Sequence, residues 1–452
     1  MARRIDMKRS NIINALVVAG LTISLLFGGN LAGEAFAAAP GIVCGRTVTA
    51  NVVVIDQPLM FNRLGAANVN GMIYALKRDV IDANGVPLTV AGAVPTPGTL
   101  QLRPDRRPRP LVLRIREGDC LTVNLENHLT PAANPFNTIP AAVPPFNVPL
   151  DEQPADRFVG FHAAGMQVLT GVYDDGSIAG SNNVLENPAS QEGGLISPGN
   201  STTYKLYGEK EGVFLVTSEG VVVGSDGNEG HISGGLFGQL IVEPKGSRIY
   251  RGQVHEEELR LSADRNRNGA LDNTERTPDG QPILDYEALY PNAEPWIGEG
   301  KANLPVLNTM KCSTATTCEI VHSEINAVVA GPDPDGSWYG QCPGPNCPYP
   351  LESVGKRNPT VPNRLEPFRD FSAQFHDETN NAQAFPGFYV TSQVFRYVLA
   401  GVKDAFMINY GSGGIGSEII ANRLGVGPMH DCLDCAFEEF FLSSFAVGDP
   451  AM

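Results

Sequence analysis

LVLRIREGDCLTVNLEN, residues 111–127, decides the fold class. Its second half alternates Leu121, Val123 and Leu125 with Thr122, Asn124 and Glu126. A period of two sends apolar side chains to one face of a strand and polar ones to the other. The first half repeats that period with Leu111, Leu113 and Ile115. The same kind of pattern occurs upstream in VTANVVVID (48–56) and GMIYAL (71–76), with Asn84-Gly85 and Pro97-Gly98 as turns. Six prolines between 131 and 149 mark an extended connection. Strand patterns resume at ADRFVGFHAAG (155–165), TTYKLYG (202–208), GVFLVTSEG (212–220) and GGLFGQLIVEP (234–244). About eight strands between residues 43 and 244 suit one Greek-key sandwich.

Composition agrees. The 452 residues include 49 Gly and 35 Pro, together 84, or close to 19%. Average usage of the pair is about 12%, and both residues penalise helix interiors. With 42% hydrophobic and 18% charged residues, the chain is not of disordered composition. A formal net charge of -16 repels phosphate backbones and argues against nucleic-acid binding. The one dense basic run, Arg103 to Arg109, is short and broken by prolines, and is expected to be a solvated loop.

The first 37 residues read as a secretory signal peptide. Arg3, Arg4, Lys8 and Arg9 precede an apolar stretch from Ile12 to Phe27, followed by the small-residue sequence Ala35-Phe36-Ala37-Ala38. Cleavage there would remove four basic and two acidic side chains, taking the net charge from -16 to -18. The expectation is an exported protein, periplasmic or extracellular, with no membrane association after cleavage. Export favours disulfides among the eight cysteines. Cys312 with Cys318, Cys342 with Cys347, and Cys432 with Cys435 form close pairs, which leaves Cys44 and Cys120 to staple the first domain.

Residues 248–365 are more irregular. They contain DRNRNGALDNTE (264–275), which fits the calcium-loop pattern D-x-[DN]-x-[DN]-G-x5-E. That spacing turns the oxygens of Asp264, Asn266 and Asn268 inward, lends the carbonyl of Ala270, adds Asp272, and closes bidentately with Glu275. Two of the early ligands are neutral and Arg265 and Arg267 are interleaved, so a calcium affinity of about 10⁻⁴ to 10⁻³ M is expected. Gly411, Gly413 and Gly416 supply a G-x-G-x-x-G string, but no alternation of strand and helix surrounds it, and it is read as a turn. His376-Asp377-Glu378 is an isolated triplet, and no catalytic residue is assigned.

Several of these blocks together resemble the multicopper oxidases, whose domains are cupredoxin sandwiches. LVLRIREGDCLTVNLEN is similar to their strand pair around a Gly-Asp turn. FVGFHAAGM (158–166) resembles the strand bearing the first His-x-His-Gly. ISPGNSTTYKLYGEKEGVFLVTSEG (196–220) resembles the block ending in a second pair of histidines, and GGLFGQLIVEP the strand closing the first domain. FHDE (375–378), INYGSGGIGSEIIANRLGVGP (408–428) and CAFEEFFLSSFAVGDPAM (435–452) resemble a second cupredoxin domain of large bacterial copper oxidases.

The resemblance implies an all-β chain of two cupredoxin-like Greek-key β-sandwich domains with long decorated loops. These are residues 38–247 and residues 248–452, the second holding the calcium-loop insertion and expected to be incomplete at its C-terminal end. It also implies copper, but the ligand positions depart from the family pattern. His162 is retained as a candidate copper ligand, whereas Ala164, Thr217 and Glu219 stand where further imidazoles are expected. The seven histidines of the whole chain never fall closer than 24 positions apart. The expectation is a multicopper oxidase-like protein, inactive alone, completed by a C-terminal copper-binding segment or a separately encoded chain. The alternative is a noncatalytic calcium-binding structural or binding module.

Overall fold

A computed structural model describes residues 41–60, 71–106, 108–131, 157–177, 194–219, 231–254 without 233, 256–263, 285–291, 303–330, 368–370 and 372–378, with a few short segments besides. The expected signal peptide, Cys342, Cys347, Cys432, Cys435 and the glycine turn at 411–414 lie outside the described residues.

The described chain is nearly all strand. In order come β1 (Arg46–Asp56), β2 (Leu59–Met60), β3 (Ala66–Asn68), β4 (Met72–Leu76), β5 (Val80–Ile81), β6 (Gln101–Leu102), β7 (Leu111–Arg116) and β8 (Asp119–Asn127). Then follow β9 (His162–Ala163), β10 (Gln167–Val168), β11 (Ser201–Tyr207), β12 (Gly212–Thr217), β13 (Phe237–Glu243), β14 (Arg248–Arg251) and β15 (Gln253–Val254). One α-helix, α1 (Glu256–Ala263), precedes β16 (Met310–Thr314), β17 (Thr317–Ile320), β18 (Ala327–Ala330), β19 (Phe368–Asp370) and β20 (Gln374–Glu378).

Two sheets face each other. The larger has the order β10-β11-β8-β1-β17-β16, with β4 also on β1, and the smaller the order β7-β13-β12-β9. Their inner faces meet in one core: Val48, Val52 and Val54 of β1, Leu121, Val123 and Leu125 of β8, and Tyr204 of β11 pack toward Leu113 and Ile115 of β7, Val216 of β12 and Leu240 of β13. This is the sandwich that the alternation in residues 111–127 predicts. The turn Glu117-Gly118 carries the chain from the smaller sheet (β7) to the larger (β8). Gly118 takes φ 90°, a value that side chains with a Cβ rarely adopt.

The long strand β1 changes partner along its length. Thr47–Thr49 run parallel to β17, while Val52–Asp56 pair antiparallel with β4. Its second face is covered as well, because Val53 and Ile55 pack with Ile73, Val80, Leu88 and Leu100 in a separate cluster. Residues 310–320 therefore complete the first sheet even though they follow residue 248 in sequence. Cys44–Cys120 and Cys312–Cys318 are both disulfide-bonded. The first ties the chain entering β1 to β8, and the second joins register partners across the β16–β17 hairpin.

The basic run differs from its expected solvated state. Arg103 is 8% exposed, and the Arg106 and Arg109 side chains are 12% and 16% exposed. Arg103 pairs with Asp105 at 3.1 Å, Arg106 with Asp79 at 2.9 Å and Arg109 with Glu324 at 3.1 Å. Burial of these guanidiniums follows from carboxylate partners, two of which lie far away in sequence, so that no local pattern announces them.

Candidate functional site

The site is built at the open end of the smaller sheet. Strand β12 pairs antiparallel with β13 along its whole length and, at its C-terminal end, also with β9: Val216 faces Ala163 and Thr217 faces His162. The Ala164 N–H donates to the Leu215 carbonyl at 2.8 Å and fixes the register. Glu219 follows two residues after Thr217, and the Thr217 hydroxyl donates to Glu219 Oε1 at 2.7 Å. The strand pairing thus brings His162, Ala164, Thr217 and Glu219 to one place.

His162 is half-buried and held by Asp175, whose Oδ1 lies 2.6 Å from His162 Nδ1. Asp175 follows a 3₁₀ turn, Val172–Asp174, and is itself fixed by Ser177, whose hydroxyl donates to Oδ2 at 3.0 Å. The hydrogen bond that His162 donates to Asp175 raises the pKa of His162 above its ordinary value. Partial burial opposes the shift, and the charges of Asp175 and Glu219 add to it. Burial works against the charged form of Asp175, yet His162 and Ser177 outweigh it and hold that carboxyl below its usual range. With Nδ1–H donating to Asp175, Nε2 is the ring atom open to a ligand or a proton.

Behind this site lies a buried polar group. Ser218 Oγ is 2.7 Å from His231 Nδ1 and accepts the Gly160 N–H at 3.1 Å. Tyr74 donates its hydroxyl to the Gly160 carbonyl. Neither Asp175 nor His231 was singled out by sequence reasoning. The polar turn Asp174-Asp175-Gly176-Ser177 is the only sequence signal for the former, while His231 has no periodic or motif context.

These residues do not fit the imidazole-bound copper centre that the resemblance implies. Such a centre is held by several imidazoles, but Ala164 offers no lone pair, and Thr217 and Glu219 offer oxygens, of which the Thr217 hydroxyl donates to Glu219 Oε1. One imidazole nitrogen remains. Among the described residues no group of three His, Cys, Asp or Glu side chains is placed to hold a metal ion. Of the expected calcium ligands, Asp264, Asn266, Asn268, Ala270 and Asp272 lie outside the described residues. Glu275 is described and is 1% exposed.

No known family's sequence pattern matches the chain, and no curated protein does. Among solved structures, a multi-copper oxidase from Pseudomonas thermotolerans aligns at 18% identity over 44% of this chain and 30% of its own, with a TM-score of 0.23. A blue copper oxidase from Nitrosomonas europaea aligns at 18% identity over 44% of this chain and 39% of its own, with a TM-score of 0.24. A copper nitrite reductase from Nitrosomonas europaea aligns at 17% identity over 44% and 42%, with a TM-score of 0.22. The chain therefore spans less than half the length of each. Similarity at this level assigns no activity to the chain.

Proposed function

We propose that this chain is an exported cupredoxin-type protein of multicopper oxidase ancestry that does not turn over as an oxidase on its own. Copper-dependent oxidation of phenols or metal ions would require a C-terminal copper-binding segment or a separately encoded chain to supply the missing imidazoles. One observation carries this reading. The β9–β12 register assembles His162, Ala164, Thr217 and Glu219 at a single place, and only one of the four is an imidazole. Three of the four positions at which the resemblance expects imidazoles therefore carry other side chains.

The purified chain, reconstituted with Cu²⁺ and supplied with phenols, diamines or Mn²⁺, tests this directly. No substrate-dependent oxygen uptake is expected. Turnover accompanied by blue absorbance would overturn the proposal. Export is part of the same proposal. No helix among the described residues is long and apolar enough to cross a membrane, and the two disulfides fit an oxidising compartment.

A second reading, a noncatalytic calcium-binding module, rests on the sequence pattern at 264–275. Of that pattern Glu275 is described, and its side chain is buried and engaged. The two readings are compatible: the first concerns ancestry, the second what the chain does unaided. Calcium titration followed by thermal unfolding separates a filled loop from a bare turn.

A further inference from the structure

Arg114, at the centre of β7, is 2% exposed and spreads its guanidinium over four acceptors. Nε donates to the Glu324 carbonyl at 3.0 Å and Nη2 to the Ile325 carbonyl. Nη1 contacts two carboxylates at once, Glu243 of β13 and Asp370 of β19. Two ionised carboxylates on one cation would leave an uncompensated negative charge beside the core, which is costly in a poorly solvated place.

Other charged groups nearby are engaged elsewhere. Arg116, on the same strand, donates to the Ser247 carbonyl and lies 3.6 Å from Asp119. Arg248 of β14 pairs with Glu287. The Glu324 carboxylate is held by Arg109 and Arg251. Arg369 alternates to the opposite face of β19 from Asp370, and β18, Ala327–Ala330, carries no charge. Arg116 is also the register partner of Glu243, but among the described residues Arg114 and Asp370 are the charged groups that contact the Glu243 carboxylate.

We propose that Arg114, Glu243 and Asp370 form a proton-gated latch, holding β19 on the sandwich while a proton bridges the two carboxylates and loosening it when that proton leaves. With the proton in place, Glu243 donates to ionised Asp370 and the pair carries one negative charge against one guanidinium. When the proton passes to solvent, two like charges face each other. Asp370 is the partner free to withdraw: its side chain is 27% exposed against 5% for Glu243. Among the described residues its three-residue strand is an edge, paired with β18 alone.

Glu243 is the group that carries the proton, and it gives it up around neutrality. Burial, the largest cause, pushes its pKa up to about 7; Arg114 opposes this, and the charge and hydrogen bond of Asp370 add to it. Between the unfolded value of about 4.3 and that folded value, the folded chain binds the extra proton. The latch therefore contributes fully below about pH 4.3 and weakens as pH rises toward neutrality.

Hydrogen exchange of the full chain, read on residues 327–330 and 368–370 and corrected for intrinsic rates, tests the latch. Protection is expected to fall about tenfold or more between roughly pH 5.5 and pH 8.5. Glu243→Gln, which keeps a donor without titrating, should remain protected at both pH values. Asp370→Asn, which removes the repulsion, should lose the pH dependence and, lying on an edge strand, should leave the sandwich folded. Equal protection of the parent chain at both pH values, or an unchanged pH response in either variant, would overturn the proposal. Carboxyl ¹³C titration of Glu243 provides an independent readout: a midpoint near neutrality is expected, and one in the ordinary carboxylate range would refute it.

Discussion

Gly160 and Gly176 lie so close that a Cβ built on Gly160 would stand 1.8 Å from the Gly176 carbonyl oxygen, and one on Gly176 would stand 2.1 Å from the Phe161 nitrogen. Two residues without side chains let the turn carrying Asp175 press against the strand carrying His162. The contact between imidazole and carboxylate depends on that approach.

Alanine at Gly176 should therefore push the turn away, because the obstacle is backbone and cannot rotate aside. The expected result is loss of the His162–Asp175 hydrogen bond with the sandwich still folded. The His162 imidazole resonances in NMR should then titrate near the ordinary value. An unchanged His162 titration in Gly176→Ala would show that the turn is held in place by other contacts.

Asp175→Asn tests the electrostatics without moving the backbone. The raised pKa of His162 means that its contribution to stability is fully present below the unfolded value of about 6.5 and is lost as pH rises through the folded value. Removing the carboxylate should lower the His162 pKa and cost about 0.5–1 kcal/mol at mildly acidic pH, where Asp175 is ionised and His162 protonated, with little effect at alkaline pH. Denaturant unfolding at two pH values reads both effects, and a loss independent of pH would argue for a packing role instead.

The two disulfides should differ in weight. Cys44–Cys120 closes a separation of 76 residues and Cys312–Cys318 one of 6. In the chain-entropy account, the longer loop contributes about 4–5 kcal/mol and the shorter about half of that. Paired Cys→Ser variants, compared by denaturant midpoint, should follow that order. A larger loss at 312 and 318 would mean that the hairpin depends on its crosslink to close the sheet edge against β1.

Strand periodicity made the sandwich legible because alternation is local: Leu121, Val123 and Leu125 announce their face within five positions. The positions at which the resemblance expects copper ligands were named from the sequence, and the pairing of His162 with Thr217 places two of them side by side. What escaped are contacts made across the chain. Arg109 meets Glu324 at a separation of 215 residues, and Arg114 meets Asp370 at 256. A basic run reads as solvated until its partners are placed, because no period in the sequence links an arginine to a carboxylate that the fold delivers. Asp175 escaped for a related reason, since it reaches His162 through a turn defined by glycine contacts.

Calcium should stabilise the chain if Glu275 closes the loop at 264–275. With a dissociation constant of about 10⁻³ M, a tenfold excess of Ca²⁺ contributes about 1.4 kcal/mol. Calorimetry should therefore show a small rise in thermal midpoint that Mg²⁺ does not reproduce. Glu275→Gln should remove the rise. A midpoint indifferent to calcium in the parent chain would remove the second functional reading.

Glu324 is the carboxylate on which the buried charge network turns. It receives Arg251 Nε at 2.8 Å and Arg109 Nη1 at 3.1 Å, and its own side chain is 3% exposed. Arg251 also lies 3.2 Å from Glu258 of α1, whose carboxylate accepts the Tyr290 hydroxyl. Through these contacts the network joins the segment before β7 to β14 and to the helix. Removing one partner of a buried ion pair strands the other, so Glu324→Ala should cost about 3–5 kcal/mol. Glu324→Gln keeps the shape and one acceptor oxygen and should recover part of that loss. Arg109→Met removes one of the two guanidiniums while leaving Arg251 paired with Glu258, and it should be the mildest of the three. Denaturant unfolding of the three variants checks the order, and a Glu324→Ala variant as stable as the parent would mean that water already reaches both arginines.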